Sequence, residues 1–489
     1  MVRGRAAQGP DRQDPQARDR GAGRREGEGR RGLSGALVAE LGRLVGAAHV
    51  AAPAGSDPEL RDATETQALV GHAAAVVRPG DAEEVREVVA WCYDHDVALT
   101  PRGGGTGFAG GAVPQGGVVL ALDRLDRVRD LDPGRWRAHV EAGVTTATLR
   151  RRARESGLDF PPDPGAAEQS QLGGMVATNA GGPHTFGHGP VSRWVTGLEV
   201  VLAPGELVTV GGPVRRDVAP YDLRSLLCGS EGTLGVVTAA WLRLVPAPDA
   251  ELPVLARFAD ARAGCEAVLA VFAAGLQPAV LDFVDGRTLQ AAGEGDGEGF
   301  ALLAEAAGGR DEAAALRAGL VEVLREAGAV DVVAPEGRSE VEELWRWRSG
   351  LTYAVIAARG GKVSEDLAVP VERLDEALAG ARAVADRHGL ESCAWGHAGD
   401  GIVHATFLVD PADAAKLERA AAAAHDVVVL GYALGGTGSG EHGVGLVKRD
   451  AVASRTPDAL LTAQRAIKDA LDPKGLLNPG KKLPVAGRP

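Results

Sequence analysis

Residues 101–113 read Pro-Arg-Gly-Gly-Gly-Thr-Gly-Phe-Ala-Gly-Gly-Ala-Val, in a chain of 489 residues that contains 68 glycines. Backbone without Cβ can approach a ligand closely, and successive N–H groups can converge on an anion. Gly105-Thr-Gly107-Phe-Ala-Gly110 matches the dinucleotide pattern GxGxxG. That pattern needs a helix opening at the glycines, so that its N-terminus meets a pyrophosphate. Here Gly110-Gly111-Ala-Val-Pro114-Gln-Gly116-Gly117 follows, which no helix survives, and no Gly-Lys-Ser/Thr step is present. The segment reads as a strand–loop–strand, and a Rossmann turn and a Walker loop are both excluded.

Two further small-residue stretches follow the same logic. Pro161-Pro162-Asp163-Pro164 precedes Leu172-Gly-Gly-Met175-Val-Ala-Thr-Asn179-Ala-Gly-Gly182, and later comes Leu227-Cys-Gly-Ser-Glu231-Gly-Thr-Leu-Gly235-Val-Val. Such segments can wrap a long ligand with main chain alone. Together with 101–113 they closely resemble the FAD-binding domain of the vanillyl-alcohol oxidase and p-cresol methylhydroxylase type, over residues 65–485 in order. The resemblance implies a pyrophosphate over Arg102, Gly103, Gly104, Gly105, Thr106 and Gly107. It places Pro162, Gly174, Thr178, Gly182, Glu231 and Val236 along the rest of the cofactor. Covalent members often carry a histidine in the first loop, and this loop has none, so FAD is expected to be held non-covalently. His184 and His188 read as ordinary loop histidines.

The histidines near the end of the chain stand apart. Gly396-His397-Ala-Gly-Asp400-Gly-Ile402-Val-His404 puts one imidazole on a glycine turn and another entering a strand. Gly438-Ser-Gly-Glu441-His442-Gly-Val-Gly445 adds an adjacent carboxylate and imidazole. Two imidazoles and one carboxylate suit a metal with open positions: a catalytic zinc, or non-haem iron or manganese. These motifs resemble the D-2-hydroxyacid dehydrogenase branch, which includes D-lactate and D-2-hydroxyglutarate dehydrogenases and the flavin subunit of glycolate oxidase. The resemblance implies His397, His404 and Glu441 as ligands of a divalent metal, zinc first, and His442 as the general base. The competing assignment makes His442 a third nitrogen ligand. Relatives usually have Asn where Ile402 stands, so substrate or metal preference is expected to differ. Arg348 and Thr352, one helical turn apart, could grip an anion, and the family places an Arg there for the substrate carboxylate. Lys362 is a weaker second anchor, since its spacing to Asp366 and Pro370 departs from relatives with such a Lys.

The reaction so implied oxidises a small D-2-hydroxy acid of the D-lactate, glycolate or D-2-hydroxyglutarate kind to its 2-keto acid, with hydride passing to the flavin. With no haem CxxCH and no cysteine cluster, electrons should leave to an external acceptor: a cytochrome, a quinone or an electron-transfer flavoprotein. Rivals on the same fold are an oxidase using O₂ and a redox-neutral transferase of the alkyl-dihydroxyacetone-phosphate synthase type. The latter carries a run of His where this chain has Ser439-Gly440-Glu441-His442.

Patterning divides the chain. Residues 1–33, rich in Arg and Gly, cannot bury enough surface to order themselves. An FAD-binding domain is expected over 34–249, a substrate-binding cap over 250–430, and a C-terminal segment over 431–489 that completes both. Asp81–Val97 is an amphipathic helix capped by Asp81 between two short strands, and Pro246–Pro253 is a Pro-rich break. Alternating helices and strands over 254–410 predict an antiparallel cap sheet, so the fold class is α+β. A formal charge of −13 argues against nucleic acid or an anionic membrane as partner. Scattered cysteines and the lack of a long apolar run point to the cytoplasm, with peripheral membrane contact only through the acceptor. A homo-oligomer stays open.

Overall fold

The computed structural model describes residues 35–64 and 69–484, and the expected Arg/Gly-rich tail lies outside them. Its first unit is the expected β-α-β. Strand Ala75–Val77 leads through helix Ala82–Asp94 to strand Leu99–Arg102, and both strands run parallel to Val118–Ala121 between them. Asp81 caps the helix, accepting from the Glu84 N–H at 2.9 Å, while the Glu84 carboxylate reaches back to the Gly80 N–H. Val85, Val88, Val89 and Cys92 face inward, as their spacing predicts. The strand Leu99–Arg102 delivers the first glycine loop at its C-terminal end, where open α/β units bind ligands.

Five antiparallel strands form the second sheet, in the order Val128–Asp132, Arg137–Glu141, Val236–Arg243, Val195–Leu202 and Glu206–Gly211. Val128–Asp132 has no strand signature in the sequence, because it is a half-exposed edge whose Arg and Asp face solvent.

Seven antiparallel strands make the third sheet: Asp331–Val333, Ala250–Phe258, Phe300–Gly308, Val280–Asp285, Glu391–Gly396, Ile402–Leu408 and Lys362–Ala368. The α+β architecture expected from sequence is the one found. One detail differs: the proline-rich stretch does not end before a strand but enters one. Pro253 lies inside Ala250–Phe258, opposite Glu305. The Glu305 carbonyl bonds to Ala279 on the far side, so Pro253 turns its missing N–H away from that neighbour. Strand Asp331–Val333 pairs only with Leu255–Arg257, which leaves the proline on an open edge, where it costs no ladder bond.

Helices Ala261–Ala273, Arg310–Glu326, Leu374–Arg387 and Ala414–Ala433 cover one face of this sheet, burying Val268, Leu320, Val384 and Val427 with Phe283, Phe300 and Phe407. On the other face, helix Arg338–Arg359 packs Leu351 and Val355 against Val284 and Trp395. The chain end returns to the first sheet. After helix Asp458–Leu471, Leu476 and Asn478 bond to the Leu99 backbone, and the Asn478 amide donates to the Gly111 and Glu231 carbonyls at 2.9 and 2.7 Å.

Candidate active site

A cavity of about 450 Å³ runs from the glycine segments to the open face of the third sheet. Every cofactor residue implied by the resemblance lines it except Pro162, which is buried beside it. The glycines divide by role. A Cβ on Gly104 would fall 1.9 Å from the Gln169 carbonyl oxygen. Gly105 holds φ +69°, and its Cβ would strike the Arg102 guanidinium. Gly107 and Gly174 have nothing within 4 Å of the added carbon, so their Cα faces open into the cavity. The first pair shapes the loop, and the second leaves room for a ligand to lie on main chain.

Side chains here mostly serve the walls. Arg102 donates to the Arg61 carbonyl, Thr106 Oγ1 lies 3.0 Å from Ser170 Oγ, and Thr178 donates to the Gly174 carbonyl. Glu231 lines the cavity and also serves the fold. Its carboxylate accepts from Val444 N–H at 2.8 Å and Gly445 N–H at 2.6 Å, tying the late glycine loop to the first domain.

His397, His404, Glu441 and His442 converge at the other end of the cavity. One ligand atom from each of His397, His404 and Glu441 lies within 4.8 Å of the others. Glu441 Oε1 stands 3.2 Å from His404 Nε2, and Oε2 stands 3.6 Å from His397 Nε2. His397 Nδ1 sits 2.7 Å from Asp282 Oδ1, which fixes the ring and leaves Nε2 for the cavity. Burial holds His404 down to about 4, so its imidazole is neutral, as a ligand must be. Burial also opposes charge on His397, but Asp282 and then Glu441 outweigh it and raise its pKa well above the usual histidine range. The buried Asp282 and the partly buried Glu441 thus call for positive charge here, and a protonated His397 supplies what a cation would. The donor set and its charge fit a divalent metal.

His442 belongs to a different set. Its ring stacks on His404 with centroids 4.9 Å apart, and its Nδ1 lies 3.2 Å from Asp366 Oδ1, though outside hydrogen-bond geometry. Asp366 is fully buried and accepts from the backbone N–H groups of Gly440, Glu441 and His442, with Ser439 Oγ and Lys448 Nζ also on it. A single carboxylate therefore holds both the Glu441 and the His442 backbone.

Arg348 and Thr352 also line the cavity. The Arg348 fork is turned on Asp282, with Nε at 3.0 Å and Nη2 at 2.6 Å from Oδ2. Arg348, Asp282 and His397 thus form one chain of contacts across the sheet. Lys362, weighted lightly by its spacing, is buried in the cavity wall with its ammonium over the Phe108 and Trp395 rings at 5.6 and 5.8 Å. Burial pushes it down to about 8. Sequence reading missed Asp282, Asp366, Phe108 and Trp395 as site residues. Only a strand alternation with acids facing inward could have flagged the first two. His184 is no ordinary loop residue either: it is wedged between Asp163 at 2.5 Å and Glu305 at 2.9 Å.

Comparisons with known proteins agree with this geometry. Residues 73–211 match the FAD binding domain family and residues 247–482 the FAD linked oxidases C-terminal domain. The chain is 33% identical over 414 residues to the glycolate oxidase subunit GlcD of Bacillus subtilis (strain 168), covering 83% of this chain and 88% of that one. It is 35% identical over 433 residues to a D-lactate dehydrogenase of Archaeoglobus fulgidus, covering 85% and 94%. A D-2-hydroxyglutarate dehydrogenase of Xanthomonas citri pv. viticola is 36% identical over 424 residues, covering 83% and 88%. Among solved structures, p-cresol methylhydroxylase with substrate bound shares the fold with a TM-score of 0.77 at 19% identity, covering 94% of this chain and 98% of that one. Among the described residues, no helix is long and apolar enough to cross a membrane. The chain is an FAD-linked oxidoreductase, and it belongs to the D-2-hydroxyacid dehydrogenase branch of the vanillyl-alcohol oxidase and p-cresol methylhydroxylase-type flavoproteins.

Proposed function

We propose that this enzyme oxidises a small D-2-hydroxy acid to the 2-keto acid, with FAD held non-covalently, a divalent metal at the histidines and an external electron acceptor. The observation that carries the reading is the meeting of His397, His404, Glu441 and His442 on one wall of the cavity whose other end is built from glycine loops. His397, His404 and Glu441 would hold the metal, zinc first, and the glycine segments would hold the flavin along main chain. When bound, FAD supplies a two-electron acceptor and the metal a Lewis acid that favours loss of the hydroxyl proton.

The chain's own groups do the rest. His442 takes the proton from the substrate hydroxyl, while the Cα hydride leaves as the C=O bond forms. Arg348, Thr352 and Lys362 line the side where the carboxylate would rest. Phe108, whose ring is tilted against His442 with centroids 4.8 Å apart, and Trp395 wall that side. Residues 34–249 act as cofactor domain and 250–430 as cap, with 431–489 completing both.

Two variants test the assignment. His442→Ala should keep FAD and metal but slow anaerobic flavin reduction by about 10²–10⁴-fold. Glu441→Gln should instead lower metal content. Metal lost from His442→Ala and retained by Glu441→Gln would exchange the two roles. A metal-free preparation that reduces at full rate on D-lactate, glycolate or D-2-hydroxyglutarate would remove the metal from the mechanism.

A further inference from the structure

The strand Val236–Arg243 begins at the flavin-lining Val236 and ends at a second cavity, of about 370 Å³, that Arg243 lines. Seven steps of extended chain put the two ends roughly 20 Å apart. Arg135, Arg137, Arg215 and Arg243 line this second cavity, together with Trp136 and Thr196. They come from three separate places: the turn entering Arg137–Glu141, the segment after Glu206–Gly211, and the end of Val236–Arg243.

The charge is compensated only in part: Arg135 and Arg137 have carboxylate neighbours in Asp130 and Asp132. Asp132 pairs with Arg135 at 2.5 Å and lies 3.8 Å from Arg137. Asp222 pairs with Arg224 at 2.9 Å. Among the described residues no carboxylate pairs with Arg215 or Arg243. The Arg243 Nε is buried and has no hydrogen-bond partner. Burial, then the charges of Arg193, Arg215 and Arg224, lowers its pKa, so every neighbouring charge it feels is of its own sign. In a chain of net charge −13, gathering like charges on one wall costs energy that an anion would recover. Trp136 presents a half-exposed indole with Arg215 stacked 5.7 Å above it.

We propose that this cavity binds the phosphate group of a small molecule. A phosphoryl group brings close to two negative charges at neutral pH and several acceptor oxygens, enough for more than one guanidinium fork. A monocarboxylate brings one charge and a single fork, so the substrate acid fits this site less well than a phosphate does. The Trp136 indole beside the arginines offers a face on which the base of a nucleotide can stack.

The test uses the FAD-loaded enzyme and isothermal titration with inorganic phosphate and, separately, ADP. Wild type should bind one equivalent saturably. Arg215→Gln, an exposed position, and the double variant Arg215→Gln/Arg243→Gln should each weaken binding by about tenfold or more, the loss of one charge-assisted fork. Both should keep full FAD content and turnover, since neither residue touches the flavin cavity. ADP binding tighter than phosphate identifies a nucleotide ligand, and equal affinity identifies phosphate itself. No saturable binding up to about 10 mM of either probe, or binding unchanged in the folded variants, overturns the proposal.

Discussion

The Lys362 ammonium lies over the Phe108 and Trp395 rings, and no carboxylate pairs with it among the described residues. Burial alone brings it down to about 8, so it loses its charge as pH rises past that value. If it faces the substrate acid, kcat/KM should fall above about pH 8, because that ratio reports the free enzyme. Lys362→Met should raise KM by about 10–100-fold, the worth of one hydrogen bond to a charged group, and should abolish the alkaline fall while kcat moves little. An alkaline limb that survives in Lys362→Met assigns it to another group. The glycines give a second expectation at this scale. Gly104→Ala should yield colourless protein, because its Cβ meets the Gln169 carbonyl. Gly107→Ala, with open space around its Cβ, should fold normally and lower FAD affinity only; equal FAD affinity in the two variants would contradict that division. The glycine loop itself was plain in the sequence. Asp282 was not, because its partner His397 lies 115 residues away.

The late glycine loop has no regular structure of its own and takes its shape from two carboxylates. Asp366, on strand Lys362–Ala368, gathers three consecutive backbone N–H groups from Gly440 to His442, and Glu231 gathers the next from Val444 and Gly445. A buried acceptor of this kind substitutes for the ladder bonds that a loop lacks. Asp366→Asn keeps the shape but removes the charge that Lys448 and the N–H groups answer. It should lower both metal content and flavin-reduction rate, by tenfold or more, while FAD content holds. Loss of FAD in parallel would instead indicate collapse of the first domain, and full activity would dismiss Asp366 as the loop's support. Helices and strands with clean periodicity, such as Ala82–Asp94 and Val118–Ala121, could be placed from the sequence. Strand Ala250–Phe258 could not, because whether a proline is tolerated depends on which side its neighbours pair.

Across the whole molecule, His184 joins the two halves. It contacts Asp163 beside the second glycine segment and Glu305 in the large sheet, and Glu305 also accepts from the Trp345 indole at 3.0 Å. Burial opposes its charge, but Asp163 and then Glu305 prevail, so its folded pKa stands well above the ordinary histidine value. A raised pKa contributes stability that is complete below the unfolded value, near 6.5, and is lost as pH rises through the folded one. His184→Gln should therefore lower the unfolding midpoint of the FAD-loaded enzyme at acid and neutral pH, by about 1–3 kcal/mol of stability, and the gap should close at alkaline pH. A gap constant with pH would show that His184 contributes through packing and not through charge.

What the sequence determined by itself is whatever local rules govern: glycine where backbone must approach a ligand, apolar spacing for helices and strands, and the residue types able to bind a metal or take a proton. From these followed the α+β class, the ligand-binding glycine loops and the histidine cluster, and the family resemblance added the flavin. The tertiary structure alone decided which of those groups are already spoken for. It set the Glu231 carboxylate on a loop, engaged Arg348 with Asp282, buried Lys362 against two rings, made His184 an interface residue and gathered four arginines, two of them without a carboxylate partner among the described residues, on a distant wall. Charge pairing and burial depend on residues brought together from far apart in the chain, and no local pattern encodes the distance between them.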